Sequence, residues 1–245
     1  PTRAFQRATQ LADLLFTGLS NDLLASAGLE SPTARDIARI AMINYAAGAL
    51  MMPYRRFAAS AMELRHDIEQ LQHRYNASFE QVSHRLSTLQ RPGARGVPFY
   101  FVRVDAAGNI TKRHSSTRFQ FARFGGACPL WNVHEAFGHP GRILVQVAEM
   151  PDGVRYLCIG RSIVKRSGNY LRPNRQYAIG IGCEIAYADK VVYSEGLQLD
   201  GQAVPVGVSC RICERPDCHQ RAFPPLGRRL TVRPNERRVV PFVIE

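Results

Sequence analysis

Between Ser209 and Gly227 the chain reads SCRICERPDCHQRAFPPLG, and Cys210-x2-Cys213-x4-Cys218-His219 packs three thiols and an imidazole into one short loop. Thiols so close together serve as metal ligands, as a disulfide, or as free side chains. Six cysteines in 245 residues are too few for a disulfide-dense mini-protein. The sequence shows no export signal, and in a reducing compartment such clusters hold metals or carry redox chemistry. Cys210, Cys213 and Cys218, completed by His219 or Cys128, would make a tetrahedral zinc site.

The charge is the second chemical signal. The formal net charge is +12. Residues 1–90 hold nine Arg and eight Asp/Glu, net +1, whereas residues 91–245 hold 23 Lys/Arg and 12 Asp/Glu, net +11. A basic excess draws anions: nucleic acid, phosphorylated ligands or acidic partners. No apolar run approaches the roughly 20 residues that cross a bilayer, so the expected location is cytoplasmic and no membrane partner is expected. The chain begins at Pro1 without an initiator Met, directly in a helical pattern, and reads as a fragment of a longer protein.

These groups must be positioned by the elements around them. Phe5, Ala8, Leu11, Ala12, Leu15 and Phe16 recur at helical spacing. Ser31-Pro32 is an N-cap followed by a first-turn proline, opening a helix through Ile37, Ile40, Ala41, Ile43, Asn44 and Ala47 that Pro53 ends. A third helix is predicted through Phe57, Met62, Leu64, Ile68, Leu71 and Tyr75, and Ser78 with Gln81 forms a capping box for the next. QRPGARGVP at 90–98 is a hinge. Beyond it the period becomes alternating: one hairpin turns at Gly108-Asn109, another at Pro151-Asp152-Gly153, and QYAIGIGCEIAYA and KVVYSE give further strands. LWNVHEAF at 130–137 reads as a short helix, and the C-terminal RRLTVRPNERRVVPFVIE as a last strand or a docking tail. The fold class is therefore α+β: a helical module over 1–90 and a strand-rich, sensor-like module over 91–245.

INYAAGALMMPYRRF and SFEQVSHRLSTLQRPGARGVPFYFVRVDAAGN resemble the second half of an ImmA/IrrE metallopeptidase-like domain. That family carries His-Glu-x-x-His on a helix, where two His hold zinc and the Glu is a general base. At the matching positions this chain has Thr9, Gln10 and Asp13, and Ile40, Ala41 and Met42 offer no acidic third ligand. Gln cannot act as a general base, so the resemblance implies a degenerate scaffold without its metal and without peptidase activity.

The chain as a whole resembles the short-chain acyl-CoA-responsive transcriptional regulators. The strings that carry it are HRLSTLQRPGARGVPF, RVDAAGNITKR, FARFGGACPLWNVHEAF, QVAEMPDG and GVSCRICERPDCHQRAFPP. The resemblance implies a non-enzymatic effector-sensing region for a regulator of propionate or acetate use, in methylcitrate or glyoxylate metabolism. It implies DNA binding through an N-terminal helix-turn-helix domain absent from this chain, and a homo-oligomer to match a palindromic site. It also implies CoA or an acyl-CoA as effector and a [4Fe–4S] cluster as cofactor, with zinc the alternative.

A [4Fe–4S] cluster takes four thiolates. Cys210, Cys213 and Cys218 supply three. Cys128, in GGACPLW with proline behind it, is the first choice for the fourth, Cys183 in IGCEIA the second, and Cys158 reads as core. A CoA site needs several cations for its phosphates and an apolar face for adenine. GRSIVKRSGNYLRPNRQY offers Arg161, Lys165, Arg166, Arg172 and Arg175 with Tyr170 and Tyr177 in a flexible loop. Trp131 reads as core, and His134 and Glu135 as possible pocket lining. FEQVSHRLSTL has the look of a recognition helix, but its neutral surroundings and its Val82, Leu86 and Leu89 favour packing over phosphate contact. The competing functional reading is a zinc-stabilised DNA-binding module, motivated by the +11 half.

Overall fold

Helix-forming side chains alternate with boundary signals through the first ninety residues, several of them on residues chemically suited to the task, Ser31, Asp67 and Ser78 among them. The computed structural model describes residues 2–122 and 126–244, and the chain divides into two compact units, Pro1–Gly96 and Val97–Glu245. In the first, α1 runs Thr2–Ser26, α2 Pro32–Met51, α3 Tyr54–Glu63, α4 Ile68–Tyr75 and α5 Phe79–Ser87. Ser31 caps α2 by accepting from the Ala34 N–H at 3.4 Å, and Pro32 fills a first-turn position where its missing N–H costs nothing. Ser78 Oγ accepts from Gln81 N at 3.2 Å while Gln81 Oε1 accepts from Ser78 N at 2.8 Å, the reciprocal capping box read from the sequence.

The predicted third helix is two helices. Arg65 and His66 adopt left-handed backbone, φ 47° and 60°, between Glu63 and Ile68. Asp67 then caps a fresh helix by accepting from Gln70 N at 3.0 Å. The periodicity continues across the break, so hydrophobic spacing alone could not reveal it. Within the 90–98 stretch, where one unit gives way to the next, Tyr54 Oη donates to Ala94 O at 2.8 Å and accepts from Arg91 N at 2.9 Å.

α1 packs on α2 through Ala12, Ile43 and Ala47, with Phe5, Ala8 and Phe16 around them. Asp13 lies 3.5 Å from Arg39 across the pair. Leu11, Leu14, Leu15, Leu19 and Leu23 stay exposed, and a groove of about 550 Å³ opens beside Phe16, Leu19, Met42 and Tyr45. In α5, Val82, Leu86 and the following Leu89 are buried. Arg85 is buried too, its Nε donating to Met52 O at 3.0 Å. The helix is a packing element, as its apolar residues implied.

The second unit is built on a six-stranded sheet. Its strands are β1 (Tyr100–Asp105), β2 (Ile110–Ser115), β3 (Leu144–Glu149), β4 (Arg155–Lys165), β5 (Arg175–Glu184) and β6 (Val204–Pro205), in the order β2-β1-β5-β4-β3-β6. All neighbours are antiparallel except β3 and β6. Both hairpin turns predicted from the sequence are present. Gly108 takes φ +84° and Gly153 φ +79°, where a side chain would be strained. KVVYSE is not a strand: Ile185–Lys190 and Val192–Ser194 are 3-10 turns. The C-terminal segment forms a separate two-stranded ladder, β7 (Leu230–Thr231) with β8 (Val243–Ile244).

Register places Tyr100, Val102, Tyr156, Cys158, Gly180 and Gly182 on one face of the sheet. The short helix α6 (Asn132–Glu135) and the segment before it cover that face with Phe119, Trp131 and Val133. Tyr100 stacks on Phe119 at 4.1 Å between centroids, and Phe119 meets Tyr156 edge-on at 5.1 Å. Glycines make this closeness possible, because a Cβ on Gly180 would lie 2.8 Å from Val102 Cγ1. Among the described residues no helix is long and apolar enough to cross a membrane.

Candidate metal centre and basic hairpin

β6 delivers the chain through Val206, Gly207 and Val208 to the cysteine loop. Cys210–Ile212 is a single 3-10 turn. Cys128 lies across from it, buried in the core beside Val206 and Val208. Gly207 touches both sides: its backbone N–H points at the Cys128 sulfur, and a Cβ built on it would stand 3.0 Å from Cys213 Sγ. Burial pushes the Cys128 thiol above its ordinary pKa; the N–H groups of Gly207 and Leu130 pull it down, and charge on Cys210 and Cys218 pushes it up again. Gly207 therefore lies between Cys128 and Cys213, and Cys210 and Cys218 are near enough for their charge to reach Cys128.

Cys183 has other neighbours. It is buried in β5, where burial raises its pKa and its electrostatic neighbours are Cys158, Asp189 and Glu184. Cys158 is core, as read: its thiol is pushed up to about 12 by burial, facing Tyr100 and Trp131. Gly125, in the Gly-Gly approach to Cys128, lies outside the described residues, as do Arg123 and Phe124 of the FARFGG string. All six cysteines are free thiols. Among the described residues no group of three His, Cys, Asp or Glu is placed to hold an ion. His219 is exposed.

The donor set fits a thiolate-ligated centre, and a second feature fits it independently. Arg221 is only 9% exposed. Its Nη1 donates to Cys210 O and Cys213 O, each at 3.2 Å, and its Nη2 to Arg215 O. Its Nε is buried with no partner. A buried guanidinium satisfied only by carbonyls keeps its full positive charge in a poorly solvated place, which is costly unless an anion lies near. Nothing in the sequence marks Arg221 or Gly207, since one Arg in a basic loop and one Gly near a cysteine are commonplace.

The basic stretch is the β4–β5 hairpin. Arg161 and Lys165 lie on β4 on the same face as Tyr177, with Arg175 opposite Lys165 in register. Lys165 Nζ lies 5.5 Å and Arg103 Cζ 4.8 Å from the Tyr177 ring centroid. Arg166, Tyr170 and Arg172 occupy the connecting loop, with Tyr170 fully exposed. The six residues thus divide between a strand face and a loop tip. The loop is braced by its own side chains: Ser167 Oγ donates to Asn169 O at 2.8 Å and Arg172 O at 2.7 Å, and Asn174 Oδ1 accepts from Ser167 N at 2.9 Å.

Beside these sites, Trp131 is core and Glu135 is exposed. His134 packs near the β1–β2 turn, its Cε1 3.7 Å from where a Gly108 Cβ would be. Its Nε2 is buried without a partner, and burial lowers its pKa. Its folded pKa lies below the unfolded one, so its stability contribution is present above about pH 6.5 and is lost as pH falls. His134→Gln should flatten the drop in Tm between pH 7.5 and 5.5 by about 2–4 °C, read by circular dichroism at matched ionic strength. On α1, Thr9 Oγ1 donates to its own helix at Phe5 O, 2.9 Å, and Asp13 faces Arg39. Thr9 is thus bonded within its own helix, and Asp13 spans the helix pair.

A family model described as "Short-chain fatty acyl coenzyme A regulator, C-terminal" matches residues 88–242, and one described as "IrrE N-terminal-like domain" matches residues 1–87. The chain is 57% identical to a propionyl-CoA carboxylase regulator of Cereibacter sphaeroides over 244 residues, 100% of this chain and 53% of that protein. It is 50% identical to the HTH-type transcriptional regulator PrpR of Mycobacterium tuberculosis, over 98% of this chain and 50% of PrpR. To RamB of the same organism it is 47% identical, over 99% of this chain and 52% of RamB. It spans about half the length of these regulators. A solved Mycobacterium tuberculosis transcriptional regulator superimposes with a TM-score of 0.93 at 50% identity, covering 98% of this chain and 73% of that one.

Proposed function

The chain belongs to the short-chain fatty acyl coenzyme A regulator family, and from that premise we propose that it is the effector-sensing part of a transcription factor for short-chain fatty acid metabolism. In this reading it binds CoA or an acyl-CoA, catalyses nothing, and works in the cytoplasm. It shifts the DNA affinity of a helix-turn-helix domain outside this chain, within a homo-oligomer. The relatives support the metabolic setting: one is named a propionyl-CoA carboxylase regulator, and two are named HTH-type transcriptional regulators. An effector can shift such an equilibrium only by its differential affinity for the two states.

The observation that carries the ligand reading is the hairpin, where register sets Lys165 directly opposite Arg175. Like charges opposed across a strand pair repel, and a phosphate laid over them turns repulsion into charge-assisted hydrogen bonds. Arg161 continues the cationic face along β4, and Arg166, Tyr170 and Arg172 extend it to the tip. Replacing Arg172 and Arg175 together by Ala should weaken CoA binding at least about tenfold and leave Tm unchanged, because both side chains are exposed. Isothermal calorimetry with CoA is the measurement; an unchanged Kd removes the hairpin from the site.

For the cofactor, Cys128, Cys210, Cys213 and Cys218 are the residues that would hold a [4Fe–4S] cluster, or zinc in its place. The placing of Cys128 and Cys213 on either side of Gly207 and the uncompensated Arg221 support this. When bound, an iron–sulfur centre would supply redox and oxygen sensitivity. The chain's own part is to hold four sulfurs between the sheet edge and the C-terminal segment.

A further inference from the structure

We propose that Arg221 is the positioning residue of the thiolate centre, latching the carbonyls of its loop and neutralising its charge. The inference rests on reading Cys128, Cys210, Cys213 and Cys218 as ligands. The Arg221 fork reaches Cys210 O, Cys213 O and Arg215 O from one side chain, so the carbonyls behind two thiols are fixed to a common point. Thiol direction in so short a loop follows backbone direction, and the fork therefore aims Cys210 and Cys213 together. Its own backbone N–H donates to Cys218 O at 3.2 Å, which brings the third loop cysteine to the same residue.

Of the two carboxylates in the loop, Glu214 pairs with Arg228 at 2.9 Å and Asp217 is exposed; Glu149, on β3, faces Arg215 at 4.0 Å. Arg221 itself makes no ion pair among the described residues. Four thiolates carry more negative charge than a zinc ion or a [4Fe–4S] core cancels, so the centre is anionic. A buried guanidinium beside it offsets the repulsion among the sulfurs and favours each added electron in a redox-active centre. Arg suits this task because its charge survives burial and its planar fork donates to several acceptors at once.

The test compares the 245-residue wild type with Arg221→Gln and Arg221→Lys, all purified without oxygen. Gln keeps a hydrogen-bond donor without charge, and Lys keeps charge without the fork. Iron and zinc content, the rate of metal release to a chelator and, for iron, the midpoint potential are measured. Release from Arg221→Gln should be about tenfold faster, the usual scale for removing a group that supports metal ligands, with the potential moved to more negative values. Arg221→Lys should release metal at an intermediate rate and hold its potential near the wild type. Near-ultraviolet dichroism shows whether each variant folds, and Arg221→Lys alone suffices if the Gln variant does not. A metal-loaded wild type whose variants match it in release rate and potential overturns the inference and leaves the ligand reading standing. Equal effects of Gln and Lys overturn the charge assignment. Wild type free of both metals overturns the ligand reading and this inference with it.

Discussion

Cys210→Ser protein purified without oxygen is expected to be colourless and free of iron, and less soluble than the wild type. The reason is geometric and electrostatic. Cys210 is one of two loop cysteines whose carbonyls Arg221 grips, and its charge is felt at Cys128. Removing its sulfur leaves three thiolates and an alkoxyl that binds iron poorly. Metal ligation is coupled to folding on the order of 10 kcal/mol in small structural sites, so the effect should reach the loop and C-terminal segment. Cys128→Ser should behave in the same way. Cys183→Ala should keep full metal content, since Cys183 keeps company with Cys158, Asp189 and Glu184 instead. Elemental analysis with visible absorption decides among these. Iron with broad visible absorption identifies a cluster, and zinc without colour the alternative. Full iron in Cys210→Ser, or its loss in Cys183→Ala alone, would falsify the ligand set.

Gly182→Ala is expected to be the most damaging single methyl group in the sheet. A Cβ there would stand 2.7 Å from both Tyr100 Oη and Cε1, and closer still to the Leu157 carbonyl oxygen. The tyrosine is held by Phe119 at 4.1 Å and fully buried, and Leu157 lies in β4, paired to β5 along its length. Neither neighbour can retreat without breaking the ladder or the aromatic stack. Overpacking costs about 1–3 kcal/mol where the surroundings can adjust; with a backbone carbonyl in the way, about 3 kcal/mol or more is expected. That corresponds to roughly 6–12 °C in Tm for a protein of this size. Gly138→Ala is the control: a Cβ there meets nothing within 4 Å. Its Tm should stay within about 2 °C of the wild type. Equal Tm values for the two variants would remove the close-packing account of Gly182.

The N-caps at Ser31 and Ser78 and the turns at Gly108 and Gly153 were legible because each depends on residues within a few positions of itself. The helix break at Arg65 and His66 was not: neither type announces left-handed backbone, and the apolar spacing runs on through it. The KVVYSE misreading has the same root, as β-branched residues favour a strand only where a ladder neighbour exists. For the site, cysteine spacing located the loop, but spacing could not show that Cys128 has Gly207 for a neighbour while Cys183 has Cys158, Asp189 and Glu184. Arg221 was beyond reach because its importance lies in what it lacks, a counter-ion, and a sequence does not show which charges go unanswered. The basic hairpin was visible as composition, but its bracing by Ser167 and Asn174 was hidden behind an expectation of flexibility.

The parallel pairing of β6 with β3 is only two residues long, Ala148 with Val204 and Glu149 with Pro205. Arg215 completes the cover by donating to Glu149 O at 2.9 Å. This short strip borders the sheet at β3, and it leads into the segment that carries Cys210, Cys213 and Cys218. If that segment comes loose, β3 becomes an open template for another chain's amides and carbonyls. Loosening of the cysteine segment would then be registered as self-association before any loss of the sheet itself.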